Sequence, residues 1–73
     1  MISQTGRPFN IADLKVGVLF SVEEDAICIL LSKINKKRYI LFEGFNLTEG
    51  FYFTISDSVL TKSTLHSWTY LGE

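Results

Sequence analysis

The chain has one cysteine, one histidine and one proline in 73 residues. A lone Cys28 excludes an internal disulfide framework and suits a reducing compartment. Structural zinc takes three or four nitrogen or sulfur ligands, and Cys28 with His66 supplies only two. No apolar run approaches a membrane span, and the opening MISQTGRPFN holds no apolar stretch of signal-peptide length. A cytoplasmic location is therefore expected, with no membrane partner. Excess charge of one sign is also missing. Seven Lys and Arg stand against eight Asp and Glu, for a net charge of −1 and a pI of about 5.7, which is not the footprint of a dedicated nucleic-acid binder. No glycine-rich loop opens a helix to cradle phosphate.

Catalysis by a nucleophile needs a base and a group that orients the base. Cys28 falls in the most apolar segment, AICILLSK, and reads as a buried small hydrophobe. His66 sits at a terminal strand beside Trp68 and Tyr70. The acidic run Glu23-Glu24-Asp25, with Asp13, has none of the spacing of a calcium loop. No catalytic residue, metal or cofactor is assigned, and a non-enzyme is expected.

What is abundant is apolar and aromatic: 47% hydrophobic residues and 14% aromatic. Charge this low with apolar content this high argues against disorder. Without repeats or composition breaks the chain reads as one domain over residues 1–73. Residues 1–10 form a loosely held N-terminal arm, and residues 11–72 a β-barrel core. Asn10 is placed to cap one short turn over IADLK. From Val16 the apolar period becomes two: Val16, Val18, Phe20 and Val22 share one face. AICILLSK and KRYILFE follow as strands, then FYFTIS, with Phe51, Phe53 and Ile55 on one face and Tyr52 on the other. DSVLTKST is a loop able to hold a helical turn. LHSWTYLG closes the set, with His66, Trp68 and Tyr70 on one face. The predicted fold is all-β, a small five-stranded antiparallel barrel or half-barrel with at most a short helical turn.

The central hairpin can be given a register. A turn at Asn35-Lys36 sets Ile29 against Phe42, Leu31 against Ile40, and Lys33 against Arg38. Two like charges face each other in that pairing, a repulsion of roughly 0.2–1 kcal/mol that an anion would relieve. GFNLTEG, with Gly44, Asn46 and Gly50, reads as the next turn.

The segment from Asp13 to Leu71 resembles small Src-homology-three-like barrels. The likeness is carried by DLKVGVLF running through Gly17 into a first strand, by the hairpin around Asn35, and by the closing WTYLG. It implies a five-stranded barrel. The aromatic-rich first loop and Trp-Trp pair of polyproline-binding members are absent, so that activity is not implied. In its short, apolar, motif-free texture the chain is similar to small accessory proteins of bacteriophages, which bind and disable host enzymes. That resemblance implies a protein partner met in the host cytoplasm.

Two surfaces are candidates for binding. One is aromatic: Tyr39, Tyr52, Trp68 and Tyr70 are expected outside the core, with Trp68 filling the barrel interior as the alternative, and Phe45, like Phe9, in a loop. Ten aromatic residues exceed what so small an interior holds, and a protein partner or a second copy of the chain would cover the excess. The other is basic. Lys33, Lys36, Lys37 and Arg38 gather four of the seven cations beside Tyr39, a pattern that holds a phosphodiester backbone while an aromatic ring stacks on a base. A charged hairpin tip also guards a sheet against edge association, which accounts for the same residues without a ligand. The expected function is a non-catalytic protein-binding module that inhibits or modulates a host factor by occlusion. The alternative is a nucleic-acid-binding barrel that uses residues 33–38.

Overall fold

The fold is given by a computed structural model that describes residues 6–23 and 26–73, with Lys62 described by its backbone. Glu24 and Asp25 of the expected acidic turn, and the first five residues of the expected arm, lie outside the described residues. Six strands form one antiparallel sheet: β1 (Arg7–Pro8), β2 (Leu19–Val22), β3 (Ala26–Asn35), β4 (Ile40–Asn46), β5 (Phe51–Ser56) and β6 (Trp68–Gly72). Their spatial order is β1-β6-β2-β3-β4-β5. The all-β class stands. The sheet has six strands rather than five and is open, with β1 and β5 as its edges.

The extra strand comes from the expected arm. Arg7 and Pro8 pair with Tyr70 and Thr69 of β6, and Pro8, which lacks an N–H, is tolerated because it lies on an edge. Phe9, expected in a loop, is buried, and its ring lies 5.4 Å from that of Phe20 and 5.5 Å from that of Trp68. Residues 7–9 are thus part of the sheet and the core. The one expected turn of helix is a 3₁₀ turn at Ile11–Asp13, held by the Asn10 N–H donating to Asp13 Oδ2 at 2.9 Å.

β2 begins later than its apolar period suggests. Val16 and Gly17 make a turn, in which Gly17 takes φ 95°, a conformation open chiefly to glycine. The Gly17 N–H then donates to Leu30 O at 2.8 Å, and the Leu30 N–H to Val18 O at 3.0 Å. Val18 and Phe20 are fully buried, as their alternation predicts, while Val16 is exposed.

Val18, Phe20, Cys28, Leu30, Phe42 and Trp68 line one face of the sheet. Four residues from connecting segments close over them: Phe9, Leu14, Leu60 and Leu65. Leu60 comes from the predicted loop DSVLTKST and Leu65 from the start of the predicted last strand LHSWTYLG. This segment forms a 3₁₀ turn at Asp57–Val59 and one α-helical turn, α1 (Lys62–Leu65), so β6 begins only at Trp68.

The hairpin register differs from the expected one. Lys33 pairs with Phe42, Ile29 with Phe45 and Cys28 with Asn46, with an irregularity between Leu30 and Ser32. Ile29 therefore leaves the core face, and Cys28 and Leu30 take it. The turn lies two residues beyond Asn35-Lys36, since the Lys36 N–H donates to Tyr39 O at 2.8 Å and leaves Lys37-Arg38 as the tip. Neither tip residue, Lys37 nor Arg38, takes a positive φ; among the described non-glycine residues only Glu23 does. The facing Lys33–Arg38 pair does not form, so the repulsion argument for an anion lapses. β4 runs straight through Gly44, and the turn falls at residues 47–50.

Candidate interaction surface

Strand alternation separates the five aromatic candidates. Val22 pairs with Trp68, and Phe20 with Tyr70, so both rings of β6 lie on the core side. Trp68 is buried and stacks on Phe20, with ring centroids 4.8 Å apart and planes 16° from parallel. Trp68 is thus a core residue and not the surface anchor expected of it. Tyr70 is half-buried beneath the Arg7 guanidinium, which sits 3.9 Å from its ring centroid. Tyr39 is exposed beside the hairpin tip, six strand positions from Phe45, or roughly 20 Å along β4.

Only Phe45 and Tyr52 meet. They are cross-strand partners with ring centroids 4.7 Å apart in an edge-on arrangement, and Tyr52 is 76% exposed. Phe45 is in a strand, not a loop. The sheet adds residues that sequence alone did not single out. Leu19 pairs with Ile29, Ile29 with Phe45, and Phe45 with Tyr52, an apolar row across β2, β3, β4 and β5 on the face away from the core. Leu19, Ile29 and Phe45 are half-buried, and nearby Leu31 is exposed. The available signal was AICILLSK itself, which is apolar at both parities and so fills two faces. Beside the row, Ser32 Oγ donates to Glu43 Oε1 at 2.7 Å.

The basic candidates do come together. Lys33, Lys36, Lys37 and Arg38 are all exposed around one tip. Among the described residues the one salt bridge is Arg7–Asp13, so no carboxylate neutralises the tip. Glu23 is at the other end of β3, ten residues or roughly 33 Å away. Glu23 thus opposes the tip less than its closeness in sequence suggests.

Cys28 is buried on the core face, and burial pushes its thiol pKa up, away from the reactive thiolate. His66 is exposed in the turn after α1. Among the described residues, no three His, Cys, Asp or Glu side chains gather to hold a metal ion, and no helix is long and apolar enough to cross a membrane. An open groove of about 670 Å³ runs between β1, β6 and α1, floored by Phe9 and Trp68. Its cation, Arg7, is already engaged by Asp13 through two bonds of 2.8 and 2.7 Å.

No protein-family model matches this chain, and no curated protein or solved structure matches it significantly.

Proposed function

We propose that this chain is a non-catalytic protein-binding module that acts by occlusion, in the manner of a phage accessory protein modulating a host factor in the cytoplasm. One observation carries the reading: Tyr52 stands 76% exposed on Phe45 at the end of the apolar row Leu19–Ile29–Phe45–Tyr52. An exposed aromatic that one neighbouring ring holds in place presents large contact area at little entropic cost, the usual anatomy of an interface anchor. A sheet curled into a half-barrel of the Src-homology-three-like kind belongs to the same proposal. It is supported by the gathering of the core on one face, beneath Phe9, Leu60 and Leu65.

Tyr52→Ala should lower capture of the partner from host extract at least tenfold, about 1.4 kcal/mol, while the circular dichroism and urea midpoint of the variant stay near wild type. Equal capture by a folded Tyr52→Ala protein would sink the reading.

A second reading rests on the unneutralised tip. Lys33, Lys36, Lys37 and Arg38 beside exposed Tyr39 can follow a phosphodiester backbone. Binding to a single-stranded oligonucleotide at low salt, lost when Lys36, Lys37 and Arg38 are changed together to Gln, would favour it. Absence of binding at low salt removes it.

A further inference from the structure

We propose that β5 is a self-recognition edge, through which two copies of this chain pair antiparallel about a two-fold axis into one continuous twelve-stranded sheet. The partner-binding reading concerns a side-chain face; this inference concerns the backbone edge beside it.

The two edges of the sheet are unlike. β1 has two residues, one of them Pro8 with no N–H to offer, and the other Arg7, whose guanidinium is held by Asp13 and lies over Tyr70. Short length, proline and charge are the devices that keep a strand edge from pairing. β5 has none of them. FYFTIS is six residues without charge, proline or glycine, and its pairing with β4 runs from Leu41–Ser56 to Asn46–Phe51 without a bulge. Among the described residues, no side chain or loop backbone hydrogen-bonds to the main chain of residues 51–55. Alternate N–H and C=O groups of β5 therefore face outward, and strong donors and acceptors of this kind seek partners.

A second copy is the occupant that this edge fits. With the two-fold at Phe53, Phe53 meets its own equivalent, Phe51 meets Ile55 of the second copy, and Tyr52 meets Thr54 of the second copy. Every pair joins residues of the same face. Aromatic and β-branched side chains oppose one another and no charge is opposed, the combination that stabilises adjacent strands. The nearest acids, Glu49 and Asp57, come opposite one another at each end of the seam, but both lie in turns just outside the strand, where solvent screens their repulsion. A foreign strand would find no charge on this edge by which to be selected. Because the β1 edge is blocked, the contact is isologous and closes at two copies instead of growing into a filament. A seam of five residues is roughly 17 Å long, which places the dimer among small, reversible interfaces.

The test is a charge exchange at two exposed positions, Tyr52 and Thr54. In the double variant Tyr52→Lys/Thr54→Lys, two lysine pairs face each other across the seam. In Tyr52→Glu/Thr54→Glu the same positions carry carboxylates. Sedimentation equilibrium of the wild-type chain should show a monomer–dimer equilibrium at concentrations from about 1 μM to about 1 mM. Each double variant alone should self-associate at least about tenfold more weakly. Mixed in equal amounts, the two should form a heterodimer, and that rescue shows that both remain folded. A wild-type chain that stays monomeric throughout overturns the proposal. So do double variants that dimerise as well as wild type, or a mixture of folded variants that fails to pair. None of these readouts involves a foreign partner, so the proposal can fail while the partner-binding reading stands, and the reverse.

Discussion

Arg7 and Asp13 tie the first described residues to the turn that follows them. Asp13 accepts two bonds from the Arg7 guanidinium and one from the Asn10 N–H. The Arg7 hydrogen bond is the largest influence and outweighs the opposing desolvation, so the Asp13 carboxyl is held at about 2 instead of 3.8. A depressed carboxylate pKa means that the folded state prefers the ionised form. The pair's contribution is thus complete above the unfolded pKa and is lost as pH falls through the folded one. The urea midpoint of the wild-type chain should decline between about pH 4 and about pH 2. Asp13→Asn should flatten that part of the profile and leave a lower midpoint at neutral pH. A variant that keeps the full acid decline would show that other carboxyls cause it. Both ends of this contact were visible as residues in the sequence, but their meeting depends on β1 pairing with β6. With residues 1–10 taken as a loose arm, Arg7 has no fixed position.

At the scale of elements, the β3–β4–β5 unit shows where sequence reading stops. Period-two patterns located β2, β5 and β6, and an apolar run of strand length located β3, because both are local properties of consecutive side chains. They do not decide which face of β3 goes inward, since Ile27, Cys28, Ile29, Leu30 and Leu31 are all apolar. A one-residue change of register exchanges the two faces. Gly44 shows what does contribute to the choice. A methyl group at Gly44 would lie 2.5 Å from Phe53 Cζ and 3.0 Å from Ile29 O, so the pairing of Gly44 with Phe53 works because that side chain is absent. Gly44→Ala should destabilise the chain by about 1–3 kcal/mol, the range for overpacking. Adding Phe53→Leu should recover part of the loss, as expected for residues in contact. Urea unfolding of the two single variants and the double variant tests this; additive losses would mean that the ring and the missing methyl are not coupled. Read as a turn signal, Gly44 was misplaced, because glycine in a strand interior also marks the close approach of another group.

The whole molecule measures 37 × 25 × 18 Å. A ten-residue β3, at roughly 33 Å, accounts for most of the longest dimension. The charges follow that axis, with the basic tip at one end of β3 and Glu23 at the other. This arrangement gives a nearly neutral chain a local cationic end, which net charge alone conceals. If the tip holds a nucleic-acid backbone, neutralising three of its cations should reduce the slope of log affinity against log salt by about 2, from roughly 0.7 for each lost phosphate contact to a single strand. An unchanged slope would place the contacts elsewhere. The candidate site is also a property of the whole. Tyr52 and Phe45 are seven residues apart and could be suspected singly, whereas the row from Leu19 to Tyr52 exists only once four strands are aligned.

By itself the sequence determined the all-β class, most of the strands, the burial of Val18, Phe20 and Cys28, and the exposure of Tyr52 and the basic cluster. These follow from composition and nearest-neighbour alternation, which act over a few residues. Tertiary structure decided the sixth strand, the hairpin register, the transfer of Trp68 and Phe9 into the core, and the division of the aromatic candidates between two faces. Each of these depends on which strands lie side by side. That choice rests on long-range packing, such as Phe9 against Trp68 and Phe53 over Gly44, for which a local apolar pattern offers several near-equal solutions.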